Sequence, residues 1–177
     1  MKKKILTLAA VVTLPFILLV MYLLASMASY SNTYSEIVSN MTVANNYNLT
    51  FKEEMDESLY KLVVGYVTLD NMESDRSRKN PYVLIEELRS EFTRLTAITT
   101  ESESKLWLES LLRNINALEK IVDDIVDSID AGGRYSENIE MLDNNIYILT
   151  ELIQDDIQYY IYYQTRYMEK VTDTLQK

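Results

Sequence analysis

The sequence contains no histidine and no cysteine among its 177 residues. These absences exclude Ser-His-Asp and Cys-His nucleophiles, zinc sites built from Cys or His, Cys-ligated iron–sulfur clusters and disulfides. Three glycines and two prolines are too few for a glycine-rich phosphate cradle or a loop-rich β architecture. With 27 acidic and 17 basic side chains, the formal charge is -10, which argues against a nucleic-acid binder. We therefore expect a mostly helical chain with no catalytic residue, cofactor or metal.

One apolar run is present, over residues 5–28, and its only ionisable side chain is the phenol of Tyr22. A helix of this length, at about 1.5 Å per residue, covers roughly 36 Å and exceeds the ~30 Å hydrocarbon core of a bilayer. The run therefore predicts a transmembrane helix. A cleaved signal peptide is the alternative, because Ser26-Met27-Ala28 is a small-residue cleavage sequence, although signal peptides have shorter apolar regions.

The charges on either side of this run predict its orientation. Lys2, Lys3 and Lys4 precede it, and all 27 acidic residues follow it. The positive-inside rule then assigns residues 1–4 to the cytoplasm and residues 29–177 to the outside. An extracytoplasmic domain without cysteine fits a bacterium, so we predict a bacterial cell membrane protein that crosses the membrane once in this chain.

Four stretches carry apolar residues at alternating spacings of three and four, which is the helical pattern. They predict helices over residues 30–69, 82–99, 104–131 and 136–177. The charged residues 70–81 predict a loop, Ser102 or Ser104 is expected to cap the third helix, and Gly132-Gly133 to end it.

Short connections make sequential helices pack against each other. The predicted fold class is therefore all-α, with an N-terminal transmembrane helix that continues into an antiparallel up-down-up-down four-helix bundle. Its first and fourth helices are the longest, so these two alone form the membrane-proximal part. Because two helices bury little surface, we expect a homodimer through helices one and four.

Tyrosine and asparagine form the most unusual pattern. The chain has 14 Tyr against 3 Phe, and five of these tyrosines lie within residues 159–167. Asn48 interrupts the apolar seam of the first helix, where a buried amide typically fixes register. Counting from the helix ends places residues 159–167 level with Asn45 and Asn48. The candidate ligand or gate residues are Asn45, Asn48, Tyr159, Tyr160, Tyr163 and Tyr167. A membrane-proximal band of aromatics with a register-setting Asn is the alternative.

Two acidic groups are interpreted as structural. In the acidic run over residues 53–57, Lys52 lies four positions before Asp56 and Glu57 lies four before Lys61, which predicts a solvated helix face with ion pairs. Asp123, Asp127 and Asp130 share a flank of the third helix. No loop supplies the six or more oxygen ligands that a hard cation needs, so we predict no metal there.

The layout resembles the extracytoplasmic four-helix-bundle sensor region of bacterial transmembrane sensor histidine kinases. The sensor bundle of chemotaxis receptors is the next nearest resemblance. Residues 34–65, YSEIVSNMTVANNYNLTFKEEMDESLYKLVVG, are similar to the first helix of such kinases from Gram-positive anaerobes. The resemblance covers the whole chain as a layout but only this segment as residues. It implies the input module of a two-component receptor, which senses a small ligand or a protein partner.

In that family a second membrane helix, a HAMP linker and a kinase or methyl-accepting module follow the sensor. The chain has no second apolar span before Lys177, and we expect it to be the input part alone. The second hypothesis is a complete membrane-anchored or secreted helical interaction or adhesion protein. The genomic sequence downstream of Lys177 discriminates the two.

Overall fold

The structure is a computed structural model that describes residues 2–65, 67–69, 72 and 80–175, with side chains over 13–65, 67–69, 72 and 80–173. All regular elements within these ranges are helices, and none is a strand. They are α1 (Lys2–Val63), α2 (Pro81–Ile98), α3 (Ser102–Asp130), α4 (Tyr135–Met141), a π-helical turn (Leu142–Ile146) and α5 (Tyr147–Leu175). The all-α prediction is confirmed.

The first helix ends earlier than predicted. It stops at Val63 and not at Leu69, because Gly65 adopts a left-handed conformation with φ 71°, which terminates helices and favours glycine. Most of the loop predicted over residues 70–81 lies outside the described residues. At its end Asn80 caps α2, and its Oδ1 accepts a hydrogen bond of 2.9 Å from the Tyr82 amide.

The ends of α3 confirm one prediction and correct another. The cap is Glu101, whose carboxylate accepts bonds of 3.1 and 2.6 Å from the amides of Glu103 and Ser104. The prediction that Ser102 or Ser104 caps this helix was wrong, because a longer side chain one residue earlier reaches the same free amides. The helix ends before Gly132, which has φ 73°, as the paired glycines predicted.

The predicted fourth helix contains a widened turn. α4 and α5 are joined by the π-helical turn Leu142–Ile146, so the path from Tyr135 to Leu175 is helical but irregular. Leu142 and Ile146 are both buried. Their spacing of four matches a regular helix, and for that reason the sequence pattern did not reveal the turn.

The apolar seams form one core, and α3 supplies its most regular part. The buried residues that α3 contributes are Leu108, Leu111, Ile115, Leu118, Val122 and Ile125, as its spacing predicted. The apolar spacing also predicts Tyr34 and Ile98 on the buried seam, which was wrong, because Tyr34 is 48 % exposed and Ile98 is 38 % exposed. Ile98 lines a cavity with Thr33 and Ile37 of α1 and is therefore only partly covered. Tyr66 lies outside the described residues.

Polar pairs mark where the helices contact one another. On α2 and α3, Tyr82 Oη donates to Asp123 Oδ1 at 2.8 Å, and Arg89 Nη2 donates to Glu119 Oε2 at 2.6 Å.

Two further pairs involve the last helix. Asn114 Nδ2 of α3 donates to Asp156 Oδ2 at 2.7 Å, and Gln154 Nε2 donates to the carbonyl of Asn48 on α1 at 2.8 Å. α3 therefore contacts both α2 and α5. α1 packs mainly against α5 and has a smaller contact with α2.

The N-terminal part of α1 packs against nothing in the described part of the chain. From Leu14 to Leu24 the large apolar side chains are exposed on every side of the helix. This part is long and apolar enough to cross a membrane, and its position near the N-terminus equally fits a signal sequence.

Candidate functional site

The two asparagines predicted to form a site have different surroundings. Asn45 is exposed on α1. Asn48 is half-buried, and its side-chain Oδ1 is buried without a hydrogen-bond partner in the described structure. Its carbonyl accepts the bond from Gln154, which places Asn48 level with Gln154 of α5.

The predicted tyrosines are spread around α5. Tyr159 is exposed and stacks on Trp107, with ring centroids 4.2 Å apart, while Tyr160 is fully buried. Tyr163 contacts Tyr162 edge to face at 5.2 Å. Tyr167 lines a cavity one end of which is formed by the α2–α3 connection. They therefore do not converge on one site.

The structure does not bring the asparagines and the tyrosines together. Because Asn48 is level with Gln154, the tyrosine stretch begins roughly one and a half turns further along α5. The prediction assumed that Tyr30 and Lys177 are level, whereas α1 and α5 are shifted along their axes. Helical periodicity predicts which face is buried and gives no information on this axial shift.

The cavity that contains Tyr167 is the best-formed polar site, and we call it the corner cavity. It has a volume of about 260 Å³ and lies between α1, α5 and the α2–α3 connection. Its polar lining includes Glu36 and Asn40 from α1, Thr99 and Glu101 from the connection, and Gln164 and Tyr167 from α5. The nearest wall of apolar side chains is formed by Ile37 and Ile98.

Deeply buried polar groups face this region. Gln164 is only 5 % exposed and lines the corner cavity. The hydroxyl of Tyr160 is buried and has no partner with hydrogen-bond geometry in the described structure. Burial raises the pKa of Tyr160, and the nearby Thr99 hydroxyl and Arg94 guanidinium oppose that rise. Such groups are costly to bury unless a ligand or water satisfies them.

The charges around the corner cavity are unequally neutralised. Burial acts to raise the pKa of Glu101, but hydrogen bonds from Ser104 and Glu103 and the nearby Lys170 lower it overall. Arg94 is held by Glu91 and also donates to Asn40 Oδ1 at 3.4 Å.

Glu36 also lines this cavity, and its carboxylate is close enough to Arg94 to raise the pKa of that guanidinium. Within the described residues Glu36 forms no ion pair shorter than 4.0 Å. It is thus a carboxylate of the corner cavity that interacts with Arg94 at a distance but accepts no ion pair or hydrogen bond from it.

A second concave region, which we call the outer groove, lies between α1 and α5. Its volume is about 500 Å³, and its lining includes Leu49, Lys52, Asp56, Tyr60 and Tyr147. Lys52 Nζ forms an ion pair with Glu151 Oε1 at 3.3 Å and lies 5.9 Å from the centre of the Tyr147 ring.

Asp56 corrects part of the interpretation of the acidic run. Burial raises its pKa, and Lys52 and the Thr150 hydroxyl lower it. Thr150 Oγ1 donates to Asp56 Oδ1 at 3.5 Å, so this carboxylate is half-buried against α5 and not fully solvated. The ion pair between Lys61 and Glu57, in contrast, forms as predicted. Lys52, predicted to pair with Asp56, pairs instead with Glu151 across the groove.

The aspartates of α3 have structural surroundings. Asp123 accepts the bond from the Tyr82 phenol, and burial together with Asp123 raises the pKa of Tyr82. Among the described residues no group of three or more acidic side chains is arranged to hold a metal ion.

Both α1 and α5 carry exposed apolar side chains, of which Leu49 and Tyr60 line the outer groove. On α1 they are Tyr34, Val38, Leu49 and Tyr60, and on α5 they are Ile148, Leu152, Tyr159 and Tyr162. The α5 set recurs at spacings of four, seven and three, which follows a heptad. These residues, which we call the apolar outer face, are exposed in the described part of the chain, and Tyr159 among them stacks on Trp107 of α3.

Sequence reasoning missed the corner cavity except for Tyr167. Gln164 carried a usable signal, because it is a polar residue at a seam position of the fourth helix, where the neighbours are apolar. Glu36 and Glu101 carried none, since they come from segments whose proximity depends on the axial shift of α1 and on the α2–α3 connection.

Comparison with known proteins yields no relative. No family model matches the sequence, no curated protein matches it, and no solved structure matches the fold. The functional argument therefore depends on the residues and the geometry of the chain itself.

Proposed function

We propose that the chain is the ligand- or partner-sensing input module of a bacterial transmembrane receptor, most consistent with a sensor histidine kinase. The observation that carries this proposal is the continuity of α1, which is one helix from Lys2 to Val63. Its first part is an exposed apolar span and its second part is a wall of the helical core. A displacement of the packed part is thereby transmitted along the backbone to the span, because a helix is stiff along its axis.

The corner cavity supports a sensing role by its position. Thr33, which lines it, follows the end of the apolar run by five residues, or about 8 Å of helix. The cavity is bounded by α1 and α5, so an occupant would contact both helices. A ligand that binds one relative position of these helices more tightly than another would shift the equilibrium between them.

An antiparallel up-down-up-down arrangement is part of this proposal. Its support is the direction of the paired residues, since positions rise on one helix as they fall on the other. Tyr82 and Arg89 of α2 pair with Asp123 and Glu119 of α3.

The same reversal relates α1 to α5. Asn48 contacts Gln154, and Lys52 contacts Glu151. Lys52 also donates to the carbonyl of Tyr147 at 3.5 Å.

We further propose a homodimer through α1 and α5. The apolar outer face supports it, because exposed apolar residues that recur as a heptad are typical of helix–helix association. Two copies whose spans lie in one membrane are parallel, so the same faces meet across a two-fold axis.

The absence of cysteine makes a clean test of the dimer possible. In membranes of a bacterium expressing the full chain, Leu49→Cys and Leu152→Cys are each expected to form disulfide-linked dimers on mild oxidation. Ser90→Cys, on the exposed side of α2, is the matched control and should stay monomeric. Equal cross-linking at all three positions would contradict a dimer through the apolar outer face.

The orientation of the span is tested with the same approach. A membrane-impermeant maleimide should label Leu49→Cys in intact cells and should label Lys3→Cys only after lysis. The opposite pattern would contradict the assignment of residues 29–177 to the outside.

The signalling role requires an output. We would join the full chain after Lys177 to the second membrane helix, HAMP linker and kinase core of a known sensor kinase and measure autophosphorylation in membranes. Oxidative cross-linking at Leu49→Cys is expected to change kinase activity at least about twofold. A kinase that is active yet insensitive to every perturbation of the outer domain would favour the anchored interaction or adhesion protein instead.

A further inference from the structure

We propose that the corner cavity binds a small organic cation that carries a primary ammonium group. This inference rests on the sensing role proposed above and names the class of its ligand. The three features that carry it are an uncommitted carboxylate, buried polar groups without partners, and a restricted volume.

The carboxylate is that of Glu36. The other acidic residue of the lining, Glu101, already accepts hydrogen bonds from the amides of Glu103 and Ser104. The nearest guanidinium, Arg94, is held by Glu91 and Asn40. Glu36 therefore remains to bind a cation from solution, and a compact ammonium group with three donors matches a carboxylate in a small site.

The buried groups lie deeper than Glu36. The amide of Gln164 lines the cavity at 5 % exposure, and within the described chain it forms no hydrogen bond. The Tyr160 hydroxyl is also buried without a partner of hydrogen-bond geometry, but it lies behind the lining, near the Thr99 hydroxyl. The Gln164 amide offers both a donor and an acceptor, so a ligand with a hydroxyl or second amine next to its ammonium group would satisfy it.

The volume limits the size of the ligand. At roughly 30 Å³ for each water-sized group, about 260 Å³ holds on the order of nine non-hydrogen atoms. Tyr167 adds an aromatic side chain to the lining, and aromatic faces attract ammonium groups. The chain's formal charge of -10 also raises the local concentration of cations.

The test uses the full chain in detergent micelles and isothermal titration at constant ionic strength. The probe is ethanolamine hydrochloride, and ethylene glycol is the uncharged probe of matched size. We expect saturable binding of ethanolamine and none of ethylene glycol. Glu36→Gln and Gln164→Leu should each weaken ethanolamine binding at least about tenfold, because each removes a direct ligand-binding group.

Glu87→Gln is the control, since Glu87 is an exposed glutamate of α2 outside both concave regions, and it should bind as the parent chain does. Glu36 is itself exposed, so its variant is expected to fold even if Gln164→Leu does not. Circular dichroism of each variant checks this directly.

Absence of saturable ethanolamine binding, equal binding of ethylene glycol, or unchanged binding by Glu36→Gln would overturn the proposal and leave a cavity filled by water. The kinase fusion separates this result from the proposed function. A fusion that responds to cross-linking while the chain fails to bind ethanolamine would retain the sensing role and reject the ligand class. A chain that binds ethanolamine, in a fusion whose kinase activity does not respond to any perturbation, would support the ligand class and reject the sensing role.

Discussion

The two parts of α1 share one continuous backbone but differ in what their side chains contact. From Leu14 to Leu24 the apolar side chains are exposed all around the helix, whereas from Ile37 to Leu62 one side is buried and the exposed side is mostly polar. A helix that is apolar on every side requires an apolar surrounding, while a one-sided helix requires a neighbouring helix. Side-chain pattern, and not backbone conformation, therefore separates membrane span from domain.

The difference also affects how each part responds to substitution. Stability in the packed part depends on contacts with α2, α3 and α5, and these can be removed one side chain at a time. The exposed part has no such contacts within the chain. Four predictions test this contrast, from the largest expected effect to the smallest.

Truncation in the packed part should have the largest effect. Leu59→Ala removes a fully buried side chain and should lower the free energy of unfolding by about 3 kcal/mol, because it loses apolar burial and leaves a cavity. Chemical denaturation of the full chain in micelles, followed by circular dichroism, measures the change.

The matched control is Leu18→Ala in the exposed part, since Leu18 is 59 % exposed. It should leave the unfolding free energy of the packed domain unchanged. A similar loss in both variants would mean that the two parts of α1 are not distinguished by packing.

The end of the packed part should be sensitive to backbone conformation. Gly65→Ala places a Cβ on a left-handed residue with φ 71° and should cost about 1 kcal/mol. Gly65→Asn should cost less, because asparagine tolerates this conformation better. Since no atom would crowd the new Cβ, equal losses in both variants would argue against a conformational origin. Denaturation midpoints provide the measurement.

Replacing Asn48, the polar residue in the packed seam of α1, should increase stability. Asn48→Leu removes a buried side-chain oxygen that has no partner and should raise the unfolding free energy by about 1 kcal/mol. Asn45→Leu, an identical change at an exposed position of the same helix, should have little effect. Destabilisation by Asn48→Leu would show instead that the amide is needed for register.

The smallest effect concerns the carboxylate of α5 that pairs with α3. Burial raises the pKa of Asp156, against the opposing hydrogen bond from Asn114. The folded state therefore holds this proton more tightly than the unfolded state, and ionisation lowers stability as pH rises through the folded pKa. Asp156→Asn keeps the hydrogen-bond acceptor and should raise the thermal midpoint by about 2 °C at pH 7.

That advantage should disappear below pH 3.8, the ordinary Asp pKa, because the carboxyl is then protonated in both states. Thermal scans at pH 7 and at about pH 3 give the comparison, with Asp155→Asn at an exposed position as control. A midpoint gain independent of pH would exclude a contribution from the titration of Asp156.

Sequence reasoning predicted the helices well and their relative positions poorly. The six buried residues of α3 follow directly from their spacing, because periodicity records which face is buried. Of the predicted site residues, Tyr167 lines the corner cavity and Asn48 does not, since the contact of Asn48 with Gln154 depends on an axial shift between helices. The cap at Glu101 was missed because serine, one of the usual capping residues, is present nearby at positions 102 and 104.

The π-helical turn between α4 and α5 has a consequence for insertions and deletions. A π turn is equivalent to one residue added to a regular helix, and one residue corresponds to about 100° of rotation. α4 therefore presents Asn138, buried with its Oδ1 unpartnered, where an unbroken helix would turn Ile139 inward. Deleting one of the exposed residues Asn144 or Asn145 would place Asn138 seven positions before Ile146, about two regular turns away on the same face, so the shorter chain would have a regular helix and would still bury Asn138.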